Sequence, residues 1–350
     1  MGYPGVHFAG QSPFGRVIMR RHFSGVPHIG LFHKSGITQI QPAPFSPASV
    51  NMKGLRLGLS ILFLGFLAVS VITCAGDLGL NGRVISPSPG PSPGSRIIVN
   101  HTCTNLEQVP SEWITAAKST LKIAYGHTSH GSQIITGMRA LAAADAAYSF
   151  NNGGTGGTLD LRDAPFAGAH DLGNPDRTSW ATATRSYLNA HPEINVVMWS
   201  WCGQVSEATW RDIRIYLNLM SRLERDYPGV KFVYMTGHLD GWGVSGFLNE
   251  RNEQIRAYCQ ANNKILFDFA DIESYDPGGA KNFMALKAND ECNYSGGNWA
   301  RQWIAGHPTD PLTTLAASCG ECAHSEKLNC ILKGRAAWWL WARLAGWNGQ

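Results

Sequence analysis

The first 76 residues contain no aspartate or glutamate, although they contain six lysines and arginines. The other 274 residues carry 23 basic and 25 acidic side chains, so the body of the protein has a formal charge of −2. A near-neutral body lacks the one-sided basic face that neutralises phosphates, and we therefore expect no nucleic acid partner. Charged residues are scarce at 15%, whereas 44% of the 350 residues are hydrophobic. This composition excludes disorder over most of the chain and provides a sizeable core.

The segment without acidic residues contains an export signal. Lys53 and Arg56 precede an uncharged apolar run at 57–75, as in the n-region and h-region of a signal peptide. Three endings remain open: lipidation of Cys74 in a lipobox-like tetrapeptide, cleavage after Ala75, or an uncleaved anchor, since nineteen apolar residues approach the length that spans a bilayer. We expect export to a bacterial cell envelope, where the protein is attached to the membrane by a lipid or signal anchor or is released into the periplasm or medium.

The chain divides into four parts. Residues 1–51 read as a disordered tail or as an untranslated extension upstream of a start at Met52. Residues 52–75 form the signal peptide or membrane anchor, and residues 76–95 include a Pro/Gly/Ser-rich tether. We predict that the folded domain covers residues 96–350.

This domain alternates strand and helix patterns. Apolar runs of strand length occur at 122–125, 195–201, 231–236 and 264–269. Helical patterns occur at 133–148, from an N-cap at Ser206 to Tyr227, at 247–262 and at 332–344. Such alternation predicts right-handed crossovers and a mostly parallel sheet covered on both faces, a three-layer α/β/α sandwich of flavodoxin-like type.

The unusual polar residues follow the predicted strands, where ligands bind in parallel sheets. Ser129 lies at the turn after the first strand, close to a helix N-terminus that favours developing negative charge. His324 lies before the last helix, with Glu321 three residues earlier. A nucleophile, a base and an orienting carboxylate are thus available for acyl transfer.

On these residues the chain resembles the SGNH (GDSL-like) hydrolase superfamily over about 118–347. The matching positions are Ser129, Gly203, Gly237, and Glu321 with His324, followed by Leu328-Asn329 and Lys333-Gly334. The resemblance implies a nucleophilic Ser129, His324 as base, Glu321 as its orienting carboxylate, and the backbone N–H groups of Ser129 and Gly203 as oxyanion donors.

Two departures from the family pattern leave alternatives open. The chain has Gly126-His127-Thr128-Ser129 in place of Gly-Asp-Ser, so Thr128 or Ser132 is an alternative nucleophile. Leu239 stands where the family has an oxyanion-binding Asn, a donor whose loss typically costs about 2.7–4 kcal/mol. We expect His238 or Gln204 to replace it.

Further residues near the strand ends are assigned to substrate or to structure. His127, His130, Asp240 and Trp201 are candidate substrate-binding residues. Seven cysteines follow the signal, so at least one is unpaired; the best disulfide candidates are Cys292, Cys319, Cys322 and Cys330. A zinc site formed by Cys319, Cys322, His324 and Cys330 is the alternative. The carboxylates of Asp268, Asp271, Glu273 and Asp276 are interpreted as strand-end caps and as part of a turn at Pro277-Gly278-Gly279 rather than as calcium ligands. We expect no metal and no cofactor.

Together these features predict an exported serine esterase that deacylates a carbohydrate or cell-envelope component through an acyl-Ser129 intermediate. The substrate is a small-molecule or carbohydrate ester. The alternative is a catalytically inactive carbohydrate-binding module of the same fold, which Leu239 favours. A third hypothesis is a structural or interaction protein of the envelope. Nothing in the sequence indicates an oligomeric state.

Overall fold

A computed structural model describes residues 96–350. The strands of this range, numbered in chain order, are β1 Ile98–Val99, β2 Lys122–Gly126, β3 Phe150–Asn151, β4 Leu159–Asp163, β5 Val196–Trp199, β6 Lys231–Met235, β7 Ile265–Phe267, β8 Asn293–Tyr294 and β9 Gly297–Asn298. The helices are α1 Ser111–Thr120, α2 Ser129–Ala144, α3 Ser179–Ala190, α4 Trp210–Asp226, α5 Phe247–Ala261, α6 Phe269–Glu273, α7 Trp299–Gly306, α8 Pro311–Ser318 and α9 Lys327–Ala345. The predictions for residues 1–95, including the signal, the anchor and the tether, lie outside the described residues.

Seven strands form one parallel sheet in the order β1-β7-β6-β5-β2-β4-β3. Strands β6, β5 and β2 are neighbours, so their carboxyl ends meet at one edge, as predicted. The α/β class and the mostly parallel sheet flanked by helices are therefore confirmed. Strands β8 and β9 form a separate antiparallel pair.

The core has two parts, one on each face of the sheet. On β2, Ile123 and Tyr125 pack with α1, α2 and α9, whereas Ala124 packs with α3, α4 and α5. This alternation follows from the period of two along a strand. A sheet with helices on both faces is a three-layer sandwich.

Three predicted helix starts are wrong. Helix α2 begins at Ser129, not at residue 133, and its Gly131 is required because an added Cβ would lie 2.2 Å from the Ser200 hydroxyl. Helix α4 is capped by Thr209 rather than Ser206, since Thr209 and Asp212 form a reciprocal capping box. Helix α9 begins at Lys327, five residues before the predicted start. Helices α2 and α9 therefore start closer to the predicted site residues, α2 at Ser129 itself and α9 three residues after His324.

Helices α2 and α9 approach so closely that their backbones touch. A Cβ added to Gly137 would lie 1.8 Å from the carbonyl oxygen of Cys330, and one added to Gly334 would lie 2.4 Å from the carbonyl carbon of Gly137. Only glycine fits at this crossing. The crossing brings the N-terminal ends of the two helices, and the loops before them, to the same edge of the sheet.

None of the helices in residues 96–350 is both long and apolar enough to cross a membrane.

Candidate active site

Ser129 is the first residue of α2 and follows the loop after β2. The first N–H groups of a helix have no partner within it, and the helix dipole places partial positive charge there. The preceding residue is anchored, because the Thr128 hydroxyl donates to the buried Asp171 carboxylate at 2.6 Å. The Ser132 hydroxyl donates to the Ser129 carbonyl at 2.7 Å and is thus bonded to the backbone of the first turn of α2. Of the candidate nucleophiles, Ser129 is therefore the one presented at the edge.

His324 reaches this serine from the loop before α9. Its Nε2 lies 3.0 Å from the Ser129 hydroxyl, although 195 residues separate the two in the chain. A disulfide between Cys322 and Cys330 ties the loop to α9, and the carbonyl of Ala323 accepts a hydrogen bond from Gln133 at 2.5 Å. His324 itself has a φ of 57°, a left-handed conformation that is uncommon outside glycine. The structure thus brings together the predicted nucleophile and base.

Glu321 does not join them. Its side chain is 98% exposed and pairs with Lys327 at 3.8 Å, so the predicted orienting role is contradicted. The turn at Ala323 and His324 directs the imidazole toward Ser129, while the earlier carboxylate points into solvent. In place of a carboxylate, His324 contacts a second imidazole: its ring stacks on His130 with centroids 4.6 Å apart.

His130 is the centre of a buried polar cluster. Its Nδ1 lies 3.2 Å from Cys202 Sγ, and its Nε2 lies 3.0 Å from the carboxylate of Asp290. Its other ring face stacks on His238 with centroids 4.0 Å apart. The sulfur of Cys202 is also 3.4 Å from the Ser129 hydroxyl. His130 was expected to touch substrate, but only 6% of it is exposed and its partners are protein groups.

The cluster shifts the pKa values of its members in opposite directions. Burial opposes charge on His130, but Asp290 and Cys202 outweigh it and raise the pKa to about 9. The hydrogen bond from His130 lowers the pKa of the Cys202 thiol to about 6, despite partial burial. Burial and the charge on His130 lower the pKa of His238 to about 4. Near neutral pH this arrangement favours an imidazolium, a thiolate and a neutral imidazole.

Neither predicted side-chain oxyanion donor is available. The Gln204 amide donates to Asp171 at 3.0 Å, and its oxygen accepts from the Cys202 N–H at 2.9 Å. His238 Nδ1 lies 2.6 Å from the Leu239 carbonyl oxygen, which only accepts, so Nδ1 holds the proton. Because the ring is neutral, Nε2 presents a lone pair and donates nothing. The remaining candidates are the backbone N–H groups of Ser129 and Gly203, each at the first position of a helical turn.

Two predicted substrate residues are structural instead. His127 holds Asp163 through Nε2 at 2.6 Å and the Thr128 carbonyl through Nδ1 at 3.0 Å. Trp201 is 2% exposed and donates to the Met235 carbonyl within the core. Both ring nitrogens of His127 and the indole N–H of Trp201 are therefore engaged by protein groups.

Asp240 does line a cavity, of about 400 Å³. The exposed rings of Trp242 and Phe247 form another part of its wall, with exposures of 70% and 73%. The cavity is close to the imidazole cluster, because the preceding Leu239 carbonyl accepts from the Asp290 N–H at 3.0 Å. Leu239 itself is buried in the core, at 1% exposure.

The carboxylates that follow β7 are paired with basic side chains of the protein. Asp268 pairs with Arg256, Asp271 with His101, and the fully buried Glu273 with the equally buried Lys333 at 3.6 Å. Burial raises the pKa of Glu273 to about 7 and lowers that of Lys333. Glu273 accepts the Leu239 N–H at 3.3 Å, and Lys333 bonds Gln133. Through these hydrogen bonds the pair connects the loop at Leu239 with helix α2.

The late cysteines divide differently from the expectation. Cys322 and Cys330 form a disulfide, which was predicted for this segment, whereas Cys292 and Cys319 are buried free thiols. A zinc site from these residues is contradicted, since two of its proposed sulfur ligands are joined to each other.

One cluster within residues 96–350 groups possible metal ligands: His130, His238 and Asp290 carry atoms within 4.8 Å of one another. Their hydrogen bonds account for them, because Asp290 accepts from His130 and His238 donates to Leu239. We interpret the cluster as a hydrogen-bonded network.

Three residues of the site were not predicted from the sequence: Cys202, Asp171 and Asp290. Cys202 stands directly after an apolar strand and before Gly203, a position that could have marked it as a candidate nucleophile. Asp290 lies in an irregular segment with no periodic signal, and only the fold brings it to His130, 160 residues away.

No family model matches the chain, and no curated protein or solved structure proves significantly similar to it.

Proposed function

We propose that the protein is an exported serine esterase of the SGNH-like type, in which Ser129 attacks an ester and His324 is the base. The observation that carries the proposal is the 3.0 Å contact between His324 Nε2 and the Ser129 hydroxyl at a helix N-terminus. In a serine hydrolase, the base accepts the hydroxyl proton as Oγ attacks and returns it to the leaving alcohol. Water then releases the acid from the acyl-Ser129 intermediate.

The environment of His324 supports a dyad rather than a triad. Within the described residues, its ring contacts Ser129 and the face of His130, and the exposed Glu321 pairs with Lys327. Serine hydrolases that lose the orienting carboxylate retain reduced turnover. We therefore expect an esterase that favours activated or labile esters.

The cavity beside the cluster supports a substrate with an apolar or ring-shaped part. Exposed Trp242 and Phe247 offer aromatic faces that stack on sugar rings or cover acyl chains, and Asp240 and Lys287 supply polar contacts. An ester of a carbohydrate or cell-envelope component combines these features.

A carbohydrate-binding module is the second candidate. It is favoured by Leu239 at the family's Asn position, by the engaged Gln204 amide and by the absence of a carboxylate on His324 among the described contacts. Such a module would use the aromatic cavity without covalent chemistry.

A fluorophosphonate probe separates the two candidates. If the protein is an esterase, the full chain is labelled at Ser129 and hydrolyses p-nitrophenyl acetate. Ser129→Ala should abolish labelling. Ser132→Ala is the matched control, because that hydroxyl bonds the helix backbone one turn further on and should leave labelling unchanged. If the folded wild-type protein binds oligosaccharide but is not labelled by the fluorophosphonate, the protein is a binding module.

A further inference from the structure

A second hydrogen-bonded series lies beside Ser129 and is not used by the proposed esterase. Cys202 Sγ is 3.2 Å from His130 Nδ1, and His130 Nε2 is 3.0 Å from Asp290. The two nitrogens of one ring thus connect a thiol to a carboxylate. This order of nucleophile, base and orienting acid is the arrangement that activates cysteine for acyl transfer.

Cys202 differs from the other free cysteines of the described residues in its environment. Cys103, Cys259, Cys292 and Cys319 are buried, and burial raises the pKa of each thiol. Cys202 is half-buried, at the carboxyl end of β5 and next to the edge where Ser129 lies. Partial exposure beside an imidazole is typical of a reactive cysteine rather than a packing residue.

The surroundings of the pair hold its geometry. Gln204 accepts the Cys202 N–H, and Asp171 binds both Gln204 and the residue before Ser129. The His130 ring lies between two other imidazoles. The titratable groups that face Cys202 or His130 are two imidazoles and two carboxylates: His238, His324, Asp290 and Glu273. Both carboxylates favour the charged form of His130.

We infer that Cys202 is a second nucleophile of this site, activated by His130 with Asp290 as the orienting group, and that it accepts acyl groups from esters. The thiolate attacks the ester carbonyl, the bond between carbonyl carbon and alkoxide oxygen breaks, and the alkoxide takes the proton on His130 Nδ1. A thioester on Cys202 results. His130 then removes a proton from water, which attacks the thioester, releases the acid and restores the thiolate and imidazolium.

Alkylation tests the activation of the thiol in the full chain. Iodoacetamide is applied from pH 5 to 9, and peptide mass spectrometry follows each cysteine. Cys202 should react with a midpoint near pH 6 and at least about tenfold faster at pH 7 than the buried cysteines, because the thiolate is the reacting form. A midpoint near the ordinary thiol value of about 8.5 in the wild-type protein would overturn the inference.

Two substitutions test the roles of the partners. His130→Gln should move the midpoint up by about two pH units and slow alkylation at pH 7 about tenfold, and Asp290→Asn should act in the same direction with a smaller effect. His101→Gln is the matched control, since it removes another histidine–aspartate pair, at 2.6 Å, and the His101 ring contacts Asp271 and Tyr275 rather than Cys202 or His130. An unchanged midpoint in folded His130→Gln would refute the assignment.

Acyl transfer is tested without the serine. Ser129→Ala is mixed with p-nitrophenyl acetate, quenched in acid and digested, and an acetyl group should appear on the peptide containing Cys202. Its absence contradicts the inference. Fluorophosphonate labelling of Cys202→Ala reports Ser129 separately. Acetylation of Cys202 in Ser129→Ala without labelling of Cys202→Ala removes the esterase proposal alone, and the reverse result removes this one alone.

Discussion

Replacing Gly137 by alanine should move Ser129, at the start of α2, away from His324, which precedes α9. The new Cβ would lie 1.8 Å from the Cys330 carbonyl oxygen, whereas ordinary contact begins at 3.4 Å. The Cβ position is fixed by the backbone of α2, and the oxygen belongs to the backbone of α9, so side-chain rotation cannot relieve the contact. Helices α2 and α9 must therefore move apart by roughly 1.6 Å, the difference between these two distances.

The expected effects are large enough to measure. Overpacking of this kind typically costs about 1–3 kcal/mol, which lowers the melting temperature of a domain of this size by about 2–12 °C. Ser129 begins α2 and His324 precedes α9, so the same shift lengthens their 3.0 Å contact. A misplacement of about 1 Å can reduce turnover about a hundredfold.

Calorimetry and p-nitrophenyl acetate hydrolysis would be measured on wild type, Gly137→Ala and Gly306→Ala. The last is the matched control, because Gly306 is also helical and an added Cβ there meets nothing within 4 Å. It should be neutral or slightly stabilising. If Gly137→Ala melts and turns over like the control, the helix crossing does not position the site.

Three further outcomes follow from the same contacts. Glu321→Gln should leave ester hydrolysis within about twofold, since its side chain is 98% exposed and does not reach His324; a loss of about tenfold or more in kcat would restore the orienting role. Cys322→Ser should lower the free energy of unfolding by about 2–3 kcal/mol through loss of the short disulfide loop, and an unchanged urea midpoint would contradict that. The pKa of His238 is about 4 in the folded protein and about 6.5 in the unfolded chain, so the unfolded chain binds a proton at higher pH. The free energy of unfolding should therefore fall by up to about 3 kcal/mol as the pH drops from about 6.5 to 4. Urea titrations across that range should show that the free energy of unfolding depends less on pH in His238→Asn than in wild type. Equal slopes in the two proteins would refute the lowered pKa.

The layered fold could be predicted from local patterns. Apolar runs of strand length and long amphipathic helices are set by neighbouring residues, and the alternation of the two restricts the connections between parallel strands. The polar loops were also predicted to lie at one edge of the sheet, because the carboxyl ends of neighbouring parallel strands lie at the same edge. Short elements such as β1 and β3, with two residues each, have too few residues for a periodic signal and were not predicted.

The pairing of side chains within the site was decided by the tertiary structure. Ser129 and His324 could be nominated from the sequence by position, but Glu321 could not be excluded, because the direction of a side chain in an irregular turn depends on φ values such as the 57° at His324. Nor could the partners of His130 be found: Cys202 and Asp290 lie 72 and 160 residues further along the chain. Helix caps and strands are specified by residues a few positions apart, whereas these contacts form only when the fold brings distant segments together, as the glycines at the crossing of α2 and α9 do for Ser129 and His324.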